Sequence, residues 1–146
     1  MPITLQSMTE SDFENYKKYS IKVYSQGMLD EKEYPNYEAA YASGYNEVTN
    51  FYKTLREGES YQAYNIMEET SHTIVGYLVF SYLIYNGQKI AFIDYIEIFP
   101  QFRRKGYAKR AMELMEEIVR KDGLPLIDLN VMLHKVGAQK LYASLG

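Results

Sequence analysis

Pro100-Gln101-Phe102-Arg103-Arg104-Lys105-Gly106-Tyr107-Ala108 stands between an apolar, strand-like run and a stretch with helical periodicity. Three consecutive cations there precede a glycine and a small residue two apart, where a strand gives way to a helix. Amides at a helix start have no carbonyl partner within the helix and carry the positive end of its dipole. Small side chains let an anion approach that backbone, and adjacent cations favour its charge. The stretch reads as a seat for a phosphorylated cofactor. A solvated basic turn is the plainer reading of the same three cations.

Working outward, Ile90 to Phe99 reads as the strand before this loop. The helix after it places Ala108, Ala111, Met112, Met115 and Val119 on one face, with Gly123 and Pro125 as the stop. Leu126 to Met132 is a further strand, so a crossover joins two strands that should be parallel, with right-handed connection. Upstream, Thr73 to Tyr85 is almost continuously apolar, as in a central strand buried on both faces. Asn86-Gly87 then signals a tight hairpin, because both central residues of a type I′ turn need positive φ.

Toward the N-terminus, Tyr61 to Met67 carries a weaker strand pattern and Ile3 to Leu5 a short one. Thr9 with Asp12 three positions on resembles a helix cap with an acidic first turn. Phe13, Tyr16, Val23 and Tyr24 fit one face of that helix. Pro35 punctuates the link to a second helix, where Tyr41, Tyr45, Val48, Tyr52 and Leu55 recur at helical steps until Gly58. A last short helix runs from Gly137 to Leu145. The order β-α-α-β-β-β-α-β-α predicts one α/β (α+β) domain over residues 1–146 with a mixed central sheet.

A 146-residue chain with 47% hydrophobic and 24% charged residues suits a globular domain able to bury a core. The net charge of −3 argues against nonspecific nucleic-acid binding, which needs a basic footprint. The local cation run suits a small anion instead. No cysteine occurs, so disulfides, thiolate nucleophiles and cysteine metal sites are excluded within this sequence. Met1-Pro2-Ile3-Thr4-Leu5 lacks the charged and apolar regions of a secretion signal, and no stretch suits a membrane span. A cytoplasmic protein is the expectation. The 16 tyrosines suit the walls of a partly wet cleft, and equally a compositional habit.

Arg103-Arg104-Lys105-Gly106-Tyr107-Ala108 meets the pattern Arg/Gln-x-x-Gly-x-Gly/Ala, and Ala138-Gln139-Lys140-Leu141-Tyr142-Ala143-Ser144-Leu145-Gly146 meets Ala-x-x-Leu-Tyr-x-x-Leu-Gly. With two such motifs in order, and the β-α-α layout before them, the chain resembles the GNAT superfamily of acyl-CoA-dependent N-acetyltransferases. The resemblance implies acetyl-CoA as co-substrate and no metal. It implies that Arg103 and the backbone from Arg104 through Lys105, Gly106, Tyr107 and Ala108 cradle the diphosphate. Ile96, Ile98 and Phe99 would lie on the strand that splays from Leu126–Met132 and bonds the pantetheine arm. The implied reaction is direct attack of a neutral amine of a small molecule or protein on the thioester.

By the same resemblance Tyr142 is the proton donor to the departing thiolate, and an aromatic packing the last helix is the alternative. Glu97 and Asp94 are the carboxylates available to take the ammonium proton. Three apart on a regular strand they point to opposite faces, so at most one serves, and Glu97 is preferred because Ile96 and Ile98 then share the other face. A salt-bridged Glu97 and a water relay stay open. His134 follows the last strand, where an incidental loop histidine is the commoner case. Met112 and Met115 read as core.

Two departures from the pattern stand out. Lys135 occupies a position where the family often has asparagine holding the cofactor arm, and Asn130 on the preceding strand is expected to compensate in part. The sequence also ends at Gly146, before the two strands with which the family usually completes its sheet. A second copy covering that edge, as a homodimer, is one expectation; a shortened chain and an inactive variant are the others. The function thus stands as N-acetyl transfer, with a CoA-binding module that has lost catalysis as the alternative. A nucleotide-binding protein is disfavoured, since neither Gly-x-x-x-x-Gly-Lys-Ser/Thr nor Gly-x-Gly-x-x-Gly occurs.

Overall fold

The computed structural model describes residues 2–31, 33–58, 61–85, 87–123 and 127–129. It has an α+β architecture with two compact units, Thr9–Glu59 in one, Met1–Met8 and Ser60–Gly146 in the other. The elements are β1 (Ile3–Ser7), α1 (Glu10–Asp30), α2 (Tyr37–Gly58), β2 (Tyr61–Glu68), β3 (Ile74–Tyr85), β4 (Gln88–Ile98), α3 (Tyr107–Lys121) and β5 (Ile127–Leu129). A single 3₁₀ turn, Pro100–Phe102, links β4 to the loop before α3. The expected Gly137–Leu145 helix lies outside the described residues. No described helix is long and apolar enough to cross a membrane.

The helical unit begins with the expected cap. Thr9 accepts from the Asp12 amide at 3.1 Å, and Asp12 accepts from the Thr9 amide at 3.0 Å, a reciprocal pair that satisfies two orphan donors. Asn36 starts α2 by accepting from the Ala39 amide at 2.9 Å. At Gly44 of α2 the two helices come close, against Ser25, Met28 and Tyr24 of α1. A Cβ on Gly44 would stand 2.5 Å from the Ser25 Oγ, and Ala40 is fully buried. Gly44 and Ala40 leave room for that approach, and the tyrosines on the neighbouring stripe of α2 face outward. Tyr37, Tyr41 and Tyr45 are exposed, their rings 6.1 and 6.5 Å apart in succession.

The sheet has the order β1-β2-β3-β4-β5, antiparallel across the first four strands and parallel between β4 and β5. Tyr85 pairs with Gln88 and Gly87 takes φ +76°, as the tight hairpin requires. Val75 through Ser81 are all buried, consistent with a central strand covered on both faces. Against one face packs the apolar stripe of α3. Ala111, Met112, Met115 and Val119 meet Ile66, Leu78, Phe80, Ala91, Ile93, Ile96 and Ile98. Burying those side chains is the main stabilising term for the unit, at about 25 cal/mol per Å² of apolar surface. Both methionines are core, as expected.

Candidate functional site

The β4–β5 ladder fixes where the site lies. Its pairs are Ala91 with Ile127, Phe92 with Asp128 and Ile93 with Leu129. Immediately after Ile93 the other ladder, between β3 and β4, is interrupted: Val79 pairs with Tyr95 but Phe80 with Ile93, so Asp94 is an extra residue in β4. A bulge of this kind bends a strand and re-aims a side chain.

Its effect on the two carboxylates corrects the expectation from strand alternation. Tyr77 stands opposite Glu97, and Ser81, four residues along the same regular strand, donates its hydroxyl to the Asp94 carboxylate. Tyr77 and Ser81 share a face of β3, so Asp94 and Glu97 share that face as well. It is the face opposite α3, because Ile96 and Ile98 lie in the α3 core. The extra residue supplies the half-turn that three-residue spacing on a regular strand would lack. A row of polar groups crosses the same face, with Gln6 beside Asn65, Asn65 beside Tyr77 and Tyr77 beside Glu97.

The two carboxylates have different surroundings. The Glu97 side chain is 4% exposed and forms an ion pair with the Arg103 guanidinium, whose Nε also donates to the Ile98 carbonyl at 2.9 Å. Arg103 therefore reaches back over the end of β4, with its head engaged by the strand and not by the loop's open side. Asp94 accepts from Ser81, and burial pushes its carboxyl up to about 6, against the smaller downward pull of that hydrogen bond. A buried carboxyl prefers its neutral form, and a donated hydrogen bond favours the charged one.

The loop into α3 has the features of an anion seat. Gly106 caps the helix with φ +78°, and Arg104 has φ +64°. A Cβ on Gly106 would meet nothing within 4 Å, so the backbone there is open to an approaching group. The first intrahelical bond of α3 runs from the Arg110 amide to the Gly106 carbonyl at 3.1 Å. The amides of Tyr107, Ala108 and Lys109 precede it, at the positive end of the helix dipole. Arg104 and Lys105 are exposed beside them. Lys105 lies 5.7 Å from the Phe102 ring centroid. A diphosphate fits such a donor set in charge and hydrogen-bonding capacity.

This fold and this start of α3 agree with the comparisons to known proteins. The family described as Acetyltransferase (GNAT) family matches residues 18–146. The chain belongs to the GNAT family. Among GNAT relatives, the chain is 26% identical over 146 residues to the uncharacterized N-acetyltransferase YdgE of Bacillus subtilis (strain 168), covering 100% of this chain and 92% of that protein. The crystal structure of the putative acetyltransferase YycN from Bacillus subtilis superposes with a TM-score of 0.85 at 26% identity, over 99% of this chain and 91% of that one. AAC(6')-Iy, solved in complex with the bisubstrate analogue CoA-S-monomethyl-acetylneamine, shares the fold at a TM-score of 0.61 and 16% identity, over 100% and 90% of the two chains.

Of the site residues expected from the sequence, Arg104, Lys105, Gly106, Tyr107 and Ala108 come together at the start of α3. Ile96, Ile98 and Phe99 lie on and just past the end of β4 next to it. The Phe99 amide is taken up by the Val75 carbonyl at 2.8 Å. Asn130, His134, Lys135 and Tyr142 lie outside the described residues. Sequence reading missed Ser81, the partner that sets Asp94 apart. It also missed Glu68, which joins Tyr107 from 39 positions away. Among the described residues there is no group of three or more histidines or acids able to hold a metal ion.

Proposed function

We propose that this GNAT protein transfers an acetyl group from acetyl-CoA to a primary amine of a small molecule or protein, by direct attack of the neutral amine. The observation that carries this reading is the open backbone at Gly106, aligned with the free first-turn amides of α3 and flanked by Arg104 and Lys105. Those amides and cations hold the diphosphate, and the end of β4 from Ile96 to Phe99 takes the adjoining arm. The bound co-substrate supplies an acetyl thioester already activated for transfer.

Asp94 is the proton acceptor in this reading, in place of Glu97. Its carboxyl, pushed up to about 6, is mainly ionised at neutral pH yet closer to the working pH than an ordinary carboxylate. Glu97 is committed to Arg103 and keeps the end of β4 in place. Tyr142 is the proton donor carried over from the terminal motif. The likeness to YdgE, an uncharacterized N-acetyltransferase, and YycN, a putative acetyltransferase, supports the reaction class.

The test is thiol release from acetyl-CoA across a panel of primary amines, with wild type, Asp94→Asn and Tyr142→Phe. Turnover with at least one amine, lowered about 100-fold or more in each variant, is expected, the usual size of a general acid or base contribution. CoA binding without turnover on any amine would replace this reading with a CoA-binding module.

A further inference from the structure

The first residue of α3 is held by a group that none of the motifs predicts. Tyr107 is 4% exposed, and its hydroxyl donates to the carboxylate of Glu68, the last residue of β2, itself 7% exposed. The second carboxylate oxygen accepts from the Ser71 hydroxyl at 2.8 Å. Glu68 is also fixed through its backbone. Its amide donates to the Thr73 carbonyl and its carbonyl accepts from the His72 amide, both at 2.9 Å. One residue further, the Glu69 amide donates to the Pro2 carbonyl at 3.0 Å. Tyr107 is thereby anchored, through one carboxylate, to the β2–β3 turn and the start of β1.

The chemistry of the pair keeps Glu68 charged and Tyr107 neutral. The hydroxyls of Tyr107 and Ser71 hold the Glu68 carboxyl below its ordinary value, and the Glu68 carboxylate raises the Tyr107 phenol. A charge-assisted bond is stronger and more directional than a neutral one. Here it acts on the residue whose own amide is the first free donor of α3. A phenylalanine would fill the same space without fixing the ring's azimuth.

We propose that the Glu68–Tyr107 pair is a positioning device that sets the aim of the Tyr107, Ala108 and Lys109 amides, and so the affinity for the diphosphate of CoA. This rests on the acetyl-CoA reading above. Neither residue touches the co-substrate through its side chain. Their effect is preorganisation, which lowers the cost of ordering a binding loop.

Equilibrium titrations with CoA and with pantetheine, which lacks the diphosphate, test this in wild type, Tyr107→Phe and Glu68→Gln. Thermal melts confirm that each protein is folded. Tyr107→Phe is expected to weaken CoA about ten-fold while leaving pantetheine within about two-fold, the scale of one lost hydrogen bond. Glu68→Gln keeps a carbonyl acceptor for the tyrosine hydroxyl and should lose less than Tyr107→Phe. Unchanged CoA affinity in folded Tyr107→Phe, or equal losses for CoA and pantetheine, would overturn the positioning role and leave the acetyl-CoA reading intact. Failure of the wild type itself to take up CoA would remove both.

Discussion

Ser81 on β3 donates its hydroxyl to Asp94 on β4, on the same face of the sheet as Glu97, because Asp94 is the extra residue of a bulge. Burial raises this carboxyl to about 6 and the Ser81 hydroxyl restrains the rise. Activity should therefore increase with pH through a limb near 6, as the base ionises. Removing the hydroxyl in Ser81→Ala withdraws support from the charged form, so the limb should move to higher pH. A pH profile of kcat/KM checks both, and a limb that does not move would dissociate Asp94 from the rate.

The same shift has a stability consequence of opposite sense to activity. A carboxyl whose folded value lies above its ordinary one near 4 contributes stability that is fully present below that value. The contribution is lost as pH rises through about 6. Asp94→Asn abolishes that loss. Allowing for partial solvent screening, the variant should be more stable than wild type at pH 8 by about 1–2 kcal/mol, and the advantage should vanish near pH 4. Urea titrations at the two pH values provide the comparison. An Asp94→Asn protein less stable than wild type at pH 8 would contradict it.

Glu97 and Arg103 should behave as a structural pair. Glu97 is nearly buried and Arg103 about half exposed, so Arg103→Ala removes one charged partner from a buried carboxylate at a cost of about 1–2 kcal/mol, discounted for the exposed arginine. Glu97→Gln should retain most of the turnover that Asp94→Asn loses. A double-mutant cycle on stability should show coupling, while thiol-release rates separate the two carboxylates. A Glu97→Gln protein that is fully folded and inactive would return the base to Glu97.

Gly76 is required by close approach, not by backbone angle. A Cβ there would stand 2.0 Å from the Glu97 carbonyl oxygen on the neighbouring strand, a backbone atom that cannot rotate aside. Gly76→Ala should cost about 3 kcal/mol by forcing β3 and β4 apart. It should also lower activity, since the displaced segment is the one carrying Glu97 and the end of β4. A melting temperature equal to wild type would show that the ladder yields more easily than its packing implies.

Much of this architecture was legible in local pattern. The Thr9–Asp12 cap, the Asn86-Gly87 hairpin, the apolar run of β3 and the methionine-bearing face of α3 each depend on neighbours within a few residues. The start of α3 was legible for the same reason, because cations, glycine and alanine are contiguous. Asp94 was not. Period-two alternation turns it away from Glu97, and only pairing with Val79 and Phe80 reveals the inserted residue. The Glu68–Tyr107 bond joins groups distant in sequence, and the close approach of Gly44 to Ser25 joins two different helices. Contacts made by the tertiary fold leave no trace in local spacing.

Amide chemical-shift mapping of the ¹⁵N-labelled protein during titration with CoA would decide whether the start of α3 holds a diphosphate. The largest shifts should fall on Gly106, Tyr107, Ala108 and Lys109, with a second set from Ile96 to Phe99, all saturating together. Saturation with CoA that leaves those amides unmoved, or folded protein that takes up no CoA at all, would contradict the reading.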